Sequence, residues 1–154
     1  MHQQLINPAT GEFTLDNQFV ISDNTTIEDL TAHFGEKLSA DRNGNLERSS
    51  YNVRYLQIGE LYFIFTFNFF YKLLISVTFV VRARPYDGAD SWDNFNIEEE
   101  IKEGEFMKQW MVQQLKSNLK KYDWGQAYTT YDFHNFSTSC NIQYRNVNTG
   151  EKLK

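Results

Sequence analysis

One cysteine and three histidines are the side chains best suited to nucleophilic or soft-metal chemistry, and their spacing does not favour either. His2 is terminal, His33 ends a short helical stretch, His134 falls in a loop, and Cys140 follows six residues later; no pair stands at zinc-ligand spacing. A Cys140–His134 nucleophile, with Asp132 nearby, would need a hairpin to bring the pair together. The competing reading is a buried structural thiol and a solvent-facing imidazole. The sequence contains no phosphate-cradling glycine loop, no Gly-x-Ser-x-Gly elbow and no His-Glu-x-x-His helix. Asp41-Arg42-Asn43-Gly44-Asn45 starts with the alternation of a calcium loop, but Leu46 replaces the needed glycine and Asn52 the closing glutamate. No metal, cofactor or catalytic residue is therefore expected.

The densest cluster of ionisable groups is acidic. Asp87, Asp90, Asp93, Glu98, Glu99, Glu100, Glu103 and Glu105 occupy one short stretch in which Arg84 and Lys102 are the only nearby cations. One reading is a solvated helix face beside a loop. The sharper reading is a docking surface in which the carboxylates steer a basic partner and aromatic residues such as Trp92 anchor it. Asp87, Asp90, Trp92, Asp93, Glu98 and Glu99 are the residues assigned to that surface. Tyrosines and phenylalanines on strands could also stack bases, but Arg54, Arg82, Arg84 and Arg145 are too scattered to track a phosphate backbone.

Composition narrows the classes further. The 154 residues suit a single domain, and 41% hydrophobic with 16% aromatic content excludes general disorder. Twenty acidic against fifteen basic residues give a net charge of −5, which disfavours direct binding to nucleic acid. A lone cysteine and an N-terminus without a basic, then apolar, leader point to the cytoplasm. The apolar run from Leu61 to Val81 holds Asn68, Lys72 and Ser76, and reads as two consecutive strands rather than a membrane span.

The elements that must position these residues follow from periodicity. Asn7-Pro8-Ala9-Thr10-Gly11 is a turn, followed by extended segments at Glu12 to Leu15 and Phe19 to Ser22. Thr25 and Glu28 have capping-box spacing and open a short helix that Gly35 ends. Tyr51 to Ile58, Leu61 to Phe69 and Leu73 to Arg82 form a three-strand meander, with Gly59-Glu60 suited to a type II′ hairpin. The middle strand reads as apolar on both faces and so needs cover on both sides or a pocket. Asn96 and Glu99 cap a long helix whose stripe is Ile97, Ile101, Met107, Trp110, Met111, Leu115 and Leu119, with Gly104 its weak point. Strands near Trp124 to Tyr131 and Ser137 to Arg145 follow, and Asn146 to Lys154 reads as a frayed tail. The fold class is α+β: an antiparallel sheet of about five to seven strands packed against one long helix, plus a short N-terminal helix.

Three stretches carry a resemblance: Ile6-Asn7-Pro8-Ala9-Thr10-Gly11-Glu12-Phe13, Ser91-Trp92-Asp93 before the acidic helix, and Tyr122-Asp123-Trp124-Gly125 before the last hairpin. In this order of features the chain resembles small bacterial immunity proteins paired with polymorphic or contact-dependent growth-inhibition toxins. The resemblance implies a cytoplasmic protein that binds one cognate toxin domain, often a nuclease, and blocks it. It transfers no individual functional residue. Two other classes stay open: a small-ligand carrier or enzyme with an aromatic-lined cavity between sheet and helix, and a structural protein that self-associates through a strand edge or a sheet face.

Overall fold

The computed structural model describes residues 3–15, 19–45, 47–85, 96–132 and 137–144. It is an α+β arrangement. A short β1 (Phe13–Thr14) and β2 (Val20–Ile21) pair as a ribbon, and α1 (Ile27–Phe34) follows. The main sheet contains β3 (Leu38–Ala40), β4 (Arg48–Ile58), β5 (Leu61–Phe70), β6 (Leu73–Arg82), β7 (Lys121–Tyr122), β8 (Gly125–Asp132) and β9 (Ser137–Tyr144), with α2 (Ile97–Leu115) between β6 and β7 in the chain. Its strand order is β3-β4-β5-β6-β9-β8-β7, antiparallel throughout. Among the described residues, no helix is long and apolar enough to cross a membrane.

Turn chemistry sets the meander. Gly59 has φ +60° and Glu60 does not share a positive φ, as a type II′ turn requires. The next hairpin is less ordinary: Phe70 pairs with Leu73, so the loop is Tyr71-Lys72, and both residues take positive φ (45° and 70°) where glycine or asparagine is favoured. Tyr55, at φ 63°, lies in a bulge of β4 between Val53 and Leu56.

Alternation along β5 builds the core. Leu61, Phe63, Phe65, Phe67 and Phe69 are buried on one face, and the Phe63, Phe65 and Phe67 rings stack successively at 5.2 and 5.7 Å. Phe13, from the N-terminal ribbon, sets its ring edge-on to Phe65 (5.5 Å) and Phe79 (5.2 Å), geometries that add about 0.5–1.5 kcal/mol per pair beyond burial. Trp110 of α2 closes the cluster, edge-on to Phe63 and Phe79; its Nε1–H is buried without a hydrogen-bond partner.

Several expectations shift. The capping box of α1 is Thr26 with Asp29, one residue later than expected: Asp29 N–H donates to Thr26 Oγ1 and Thr26 N–H to Asp29 Oδ2, each at 3.0 Å. Thr25 instead accepts from Ser22 N–H. On α2, Asn96 caps as expected, and Met107, Trp110, Met111 and Leu115 are buried. Ile97, Ile101 and Leu119 are not on the buried stripe: the first two are exposed, and Leu119 lies beyond the helix end, which Lys116 makes in a left-handed conformation. The outer face of β5 is not wholly apolar, because Thr66 and Asn68 stand on it between Ile64 and Phe70. No described element covers that face.

Candidate binding surfaces

Of the six residues assigned to the acidic surface, Glu98 and Glu99 are described and Asp87, Asp90, Trp92 and Asp93 lie outside the described residues. Glu98 and Glu99 are exposed in the first turn of α2, where their N–H groups donate to Asn96 Oδ1 at 2.9 and 3.3 Å. Negative charge is stabilised there by the helix dipole. Lys102 pairs loosely with Glu99 at 3.9 Å. Ile97 and Ile101, one turn apart, are 50% and 57% exposed, and Val112 is exposed on the same side. At 100° per residue Ile97 and Ile101 lie within about 40° of each other, whereas the exposed Lys108–Glu105 pair separates them from Val112, so the apolar patch is the Ile97–Ile101 pair.

The rest of this region is tied down. Arg82 is buried; its guanidinium donates to the carbonyls of Arg84 (3.1 Å) and Pro85 (3.0 Å) and lies 3.6 Å from Glu103. Arg84 meets the same Glu103 carboxylate at 2.6 Å. One glutamate of α2 thus fastens the exit of β6 to the helix.

Across the other face of the sheet runs a belt of uncharged polar side chains. Thr66 Oγ1 donates to Asn52 Oδ1 (2.7 Å) and Ser50 Oγ to Asn68 Oδ1 (2.9 Å). Asn68 Nδ2 donates to Ser76 Oγ (3.0 Å), Thr78 Oγ1 to Asn141 Oδ1 (3.1 Å), and Asn141 Nδ2 to Thr130 Oγ1 (3.0 Å). The belt therefore links β4, β5, β6, β9 and β8. Arg48 over the Phe70 ring (5.2 Å) and Lys120 over the Tyr128 ring (4.5 Å) flank it on either side.

A third feature joins two of the sequence stretches singled out above. Thr10, Glu12, Ser22, Asp23 and Asn24 face Trp124 and Tyr144 across a cleft of about 320 Å³. Trp124 packs on Gly11 and donates to the Pro8 carbonyl, and Tyr144 donates weakly to the Gly11 carbonyl at 3.4 Å. Burial, then the Asp23 and Glu12 carboxylates, push the Tyr144 hydroxyl well above its ordinary pKa.

No protein-family model matches the chain, and no significant match is found among curated proteins or solved structures. Function must therefore be argued from these surfaces. Cys140 is fully buried on the helix-covered face, and burial alone drives its thiol pKa far upward, away from nucleophilic character. His134, its hypothetical partner, lies outside the described residues. His33 stacks on Phe19 at 4.1 Å. Among the described residues, no three His, Cys, Asp or Glu groups come close enough to hold a metal ion. The Asp41 loop is held by its own turn bonds, with Asn43 N–H donating to Asp41 Oδ1 and Arg48 N–H to Asn45 Oδ1.

The polar belt was hidden in the sequence because β4, β5, β6, β8 and β9 are adjacent only after folding. Ile97 and Ile101 were legible as apolar but not as exposed, since periodicity gives a stripe and not its limits.

Proposed function

We propose that the chain acts in the cytoplasm by binding another protein, and that this partner is a basic toxin domain which it neutralises, as an immunity protein would. The observation that carries the reading is the exposed pair Ile97 and Ile101 beside the Glu98 and Glu99 carboxylates at the head of α2. Apolar side chains one turn apart on a rigid helix can seat in a partner's pocket, while carboxylates around them steer a basic surface and exclude mismatched ones. Asp87, Asp90, Trp92 and Asp93 precede this helix directly in the chain and extend the proposed surface. The net charge of −5 acts in the same sense, and the toxin assignment itself rests on the resemblance.

The test is to use the purified chain as bait for the products of neighbouring genes in its own organism, with affinity measured at low and moderate salt. A one-to-one, salt-sensitive complex with a basic toxin domain is expected. Glu99→Lys should slow association, and Ile101→Ser should speed dissociation, each weakening binding roughly tenfold. A complex indifferent to both changes would remove α2 from the interface. A small molecule retained in place of any protein would favour the second reading, a ligand carrier, for which the cleft between Glu12, Asp23 and Trp124 is the supporting observation.

A further inference from the structure

The sheet face turned away from α2 has an unusual composition. β5, β6 and β9 carry a single charged side chain, Arg82, in a chain that is 23% charged. That one is buried against Glu103. A face kept for water commonly carries charged residues along its strands, whereas charge depletion is the compositional mark of an interface centre. The polar groups that do stand here, in the belt from Asn52 and Thr66 to Asn141, already bond to one another. Covering them therefore carries less than the usual penalty for burying polar groups, and the donors not used within the belt, such as Asn52 Nδ2, can bond across a contact. Ile64 and Val80 lie beside the belt, and the charged side chains of this face, Arg48 and Arg54 on β4, Asp132 on β8 and Lys120 beside it, stand toward its margins, giving a neutral centre with a charged rim.

We propose that this face joins two copies of the chain about a twofold axis. The choice of a second copy over another partner rests on charge and chemistry. Two copies of net charge −5 repel each other, so their contact is best centred on β5, β6 and β9, where neither presents an exposed charge. A twofold contact places the same patch against itself, and Ser, Thr and Asn, which both donate and accept, can meet their own symmetry mates. A basic partner gains nothing from a neutral face, and nucleic acid needs cations across it. Area is also adequate: five strands spaced ~4.8 Å, with ~3.3 Å per residue, give a face on the order of 700 Å², near the ~800 Å² that each partner contributes to a standard interface. The acidic head of α2 lies on the opposite side of the sheet and stays open in such a pair.

The test needs no other protein, so it stands or falls apart from the toxin reading. Mass is measured by sedimentation equilibrium from roughly 1 to 200 µM, the range that brackets a micromolar dissociation constant. The mass should rise to that of two chains and stop there. Thr66→Arg sets two guanidinium groups close to the twofold axis and should raise the dissociation constant at least ~10-fold, with far-UV circular dichroism unchanged. Asn141→Lys is the second variant should Thr66→Arg misfold, and Gln113→Ala, an uncharged change at an exposed position of α2, should follow the wild-type curve. A single-chain mass at the highest concentration, an unchanged curve for a folded Thr66→Arg or Asn141→Lys, or growth beyond two chains would each overturn the proposal.

Discussion

Trp124 lies against Gly11: a β-carbon added at residue 11 would come within 2.4 Å of the indole ring, and Gly11 holds φ +78°. The indole N–H fixes the arrangement by donating to the Pro8 carbonyl at 2.9 Å. Gly11→Ala should therefore cost about 2–4 kcal/mol, the sum of a left-handed backbone penalty and overpacking. Urea denaturation would show it as a lower midpoint at unchanged slope. Trp124→Phe keeps a ring but loses the bond and should cost about 1 kcal/mol.

Gln114 is buried on α2 and bonds through both ends of its amide. Its Oε1 accepts from Leu5 N–H (2.7 Å) and Ile6 N–H (3.0 Å), and its Nε2 donates to the Gln3 carbonyl (2.8 Å). Gln114→Leu preserves volume yet leaves two backbone N–H groups unmet, so a loss of about 2–4 kcal/mol is expected. Hydrogen exchange at Leu5 and Ile6 should accelerate; unchanged exchange would mean that water replaces the amide.

The Tyr71-Lys72 turn stores strain that sequence alone can relieve. Replacing it with Asn-Gly suits two positive φ angles and keeps the Tyr71 N–H bond to the Glu47 carbonyl. The double variant should gain about 1 kcal/mol and melt a few degrees higher. A lower melting temperature would show that the Tyr71 ring, edge-on to Phe70 at 4.7 Å, contributes more than the strain removes.

Alkaline pH should destabilise the fold. Burial raises Cys140 above its ordinary 9.0 and Tyr144 above its ordinary 10.0, so the unfolded chain releases these protons while the folded chain keeps them. Their contribution is complete below the unfolded values and is lost as pH climbs above them, by up to about 1.4 kcal/mol per pH unit for each group. Urea midpoints should hold to about pH 8 and fall beyond pH 9, with Cys140→Ala delaying the onset by about one unit. A flat profile through both values would mean that the groups ionise inside the fold.

Much of the architecture was legible in the chain. The meander, the Asn96 cap and the last hairpin follow from period-two alternation, capping chemistry and glycine placement, which are local signals. β3 and β7 were missed because two or three residues carry no period, and they exist through pairing with β4 and β8. Gln114 had a signal: a glutamine three residues after Met111 and four after Trp110 sits on the buried side and must be satisfied there. Gly104, marked as a weak point for the helix, is instead a close approach, since a β-carbon there would stand 2.6 Å from Thr138 Oγ1. The belt from Asn52 to Asn141 depends on register between strands far apart in sequence, which no local pattern encodes.

The junction of β6 with β9 implies a division in the way the molecule breathes. Those strands are in register only from Ser76 to Phe79, while β5 and β6 pair along nearly their full lengths. Residues up to Arg82 zip up through neighbouring hairpins, whereas β8 and β9 form a later hairpin that α2 holds in place. The short join is thus the place for a partial opening to begin, well below the free energy of global unfolding. Amides of β9 should exchange ahead of those in β5, and Gln114, which ties α2 back to Leu5 and Ile6, becomes the latch that limits how far the two halves part.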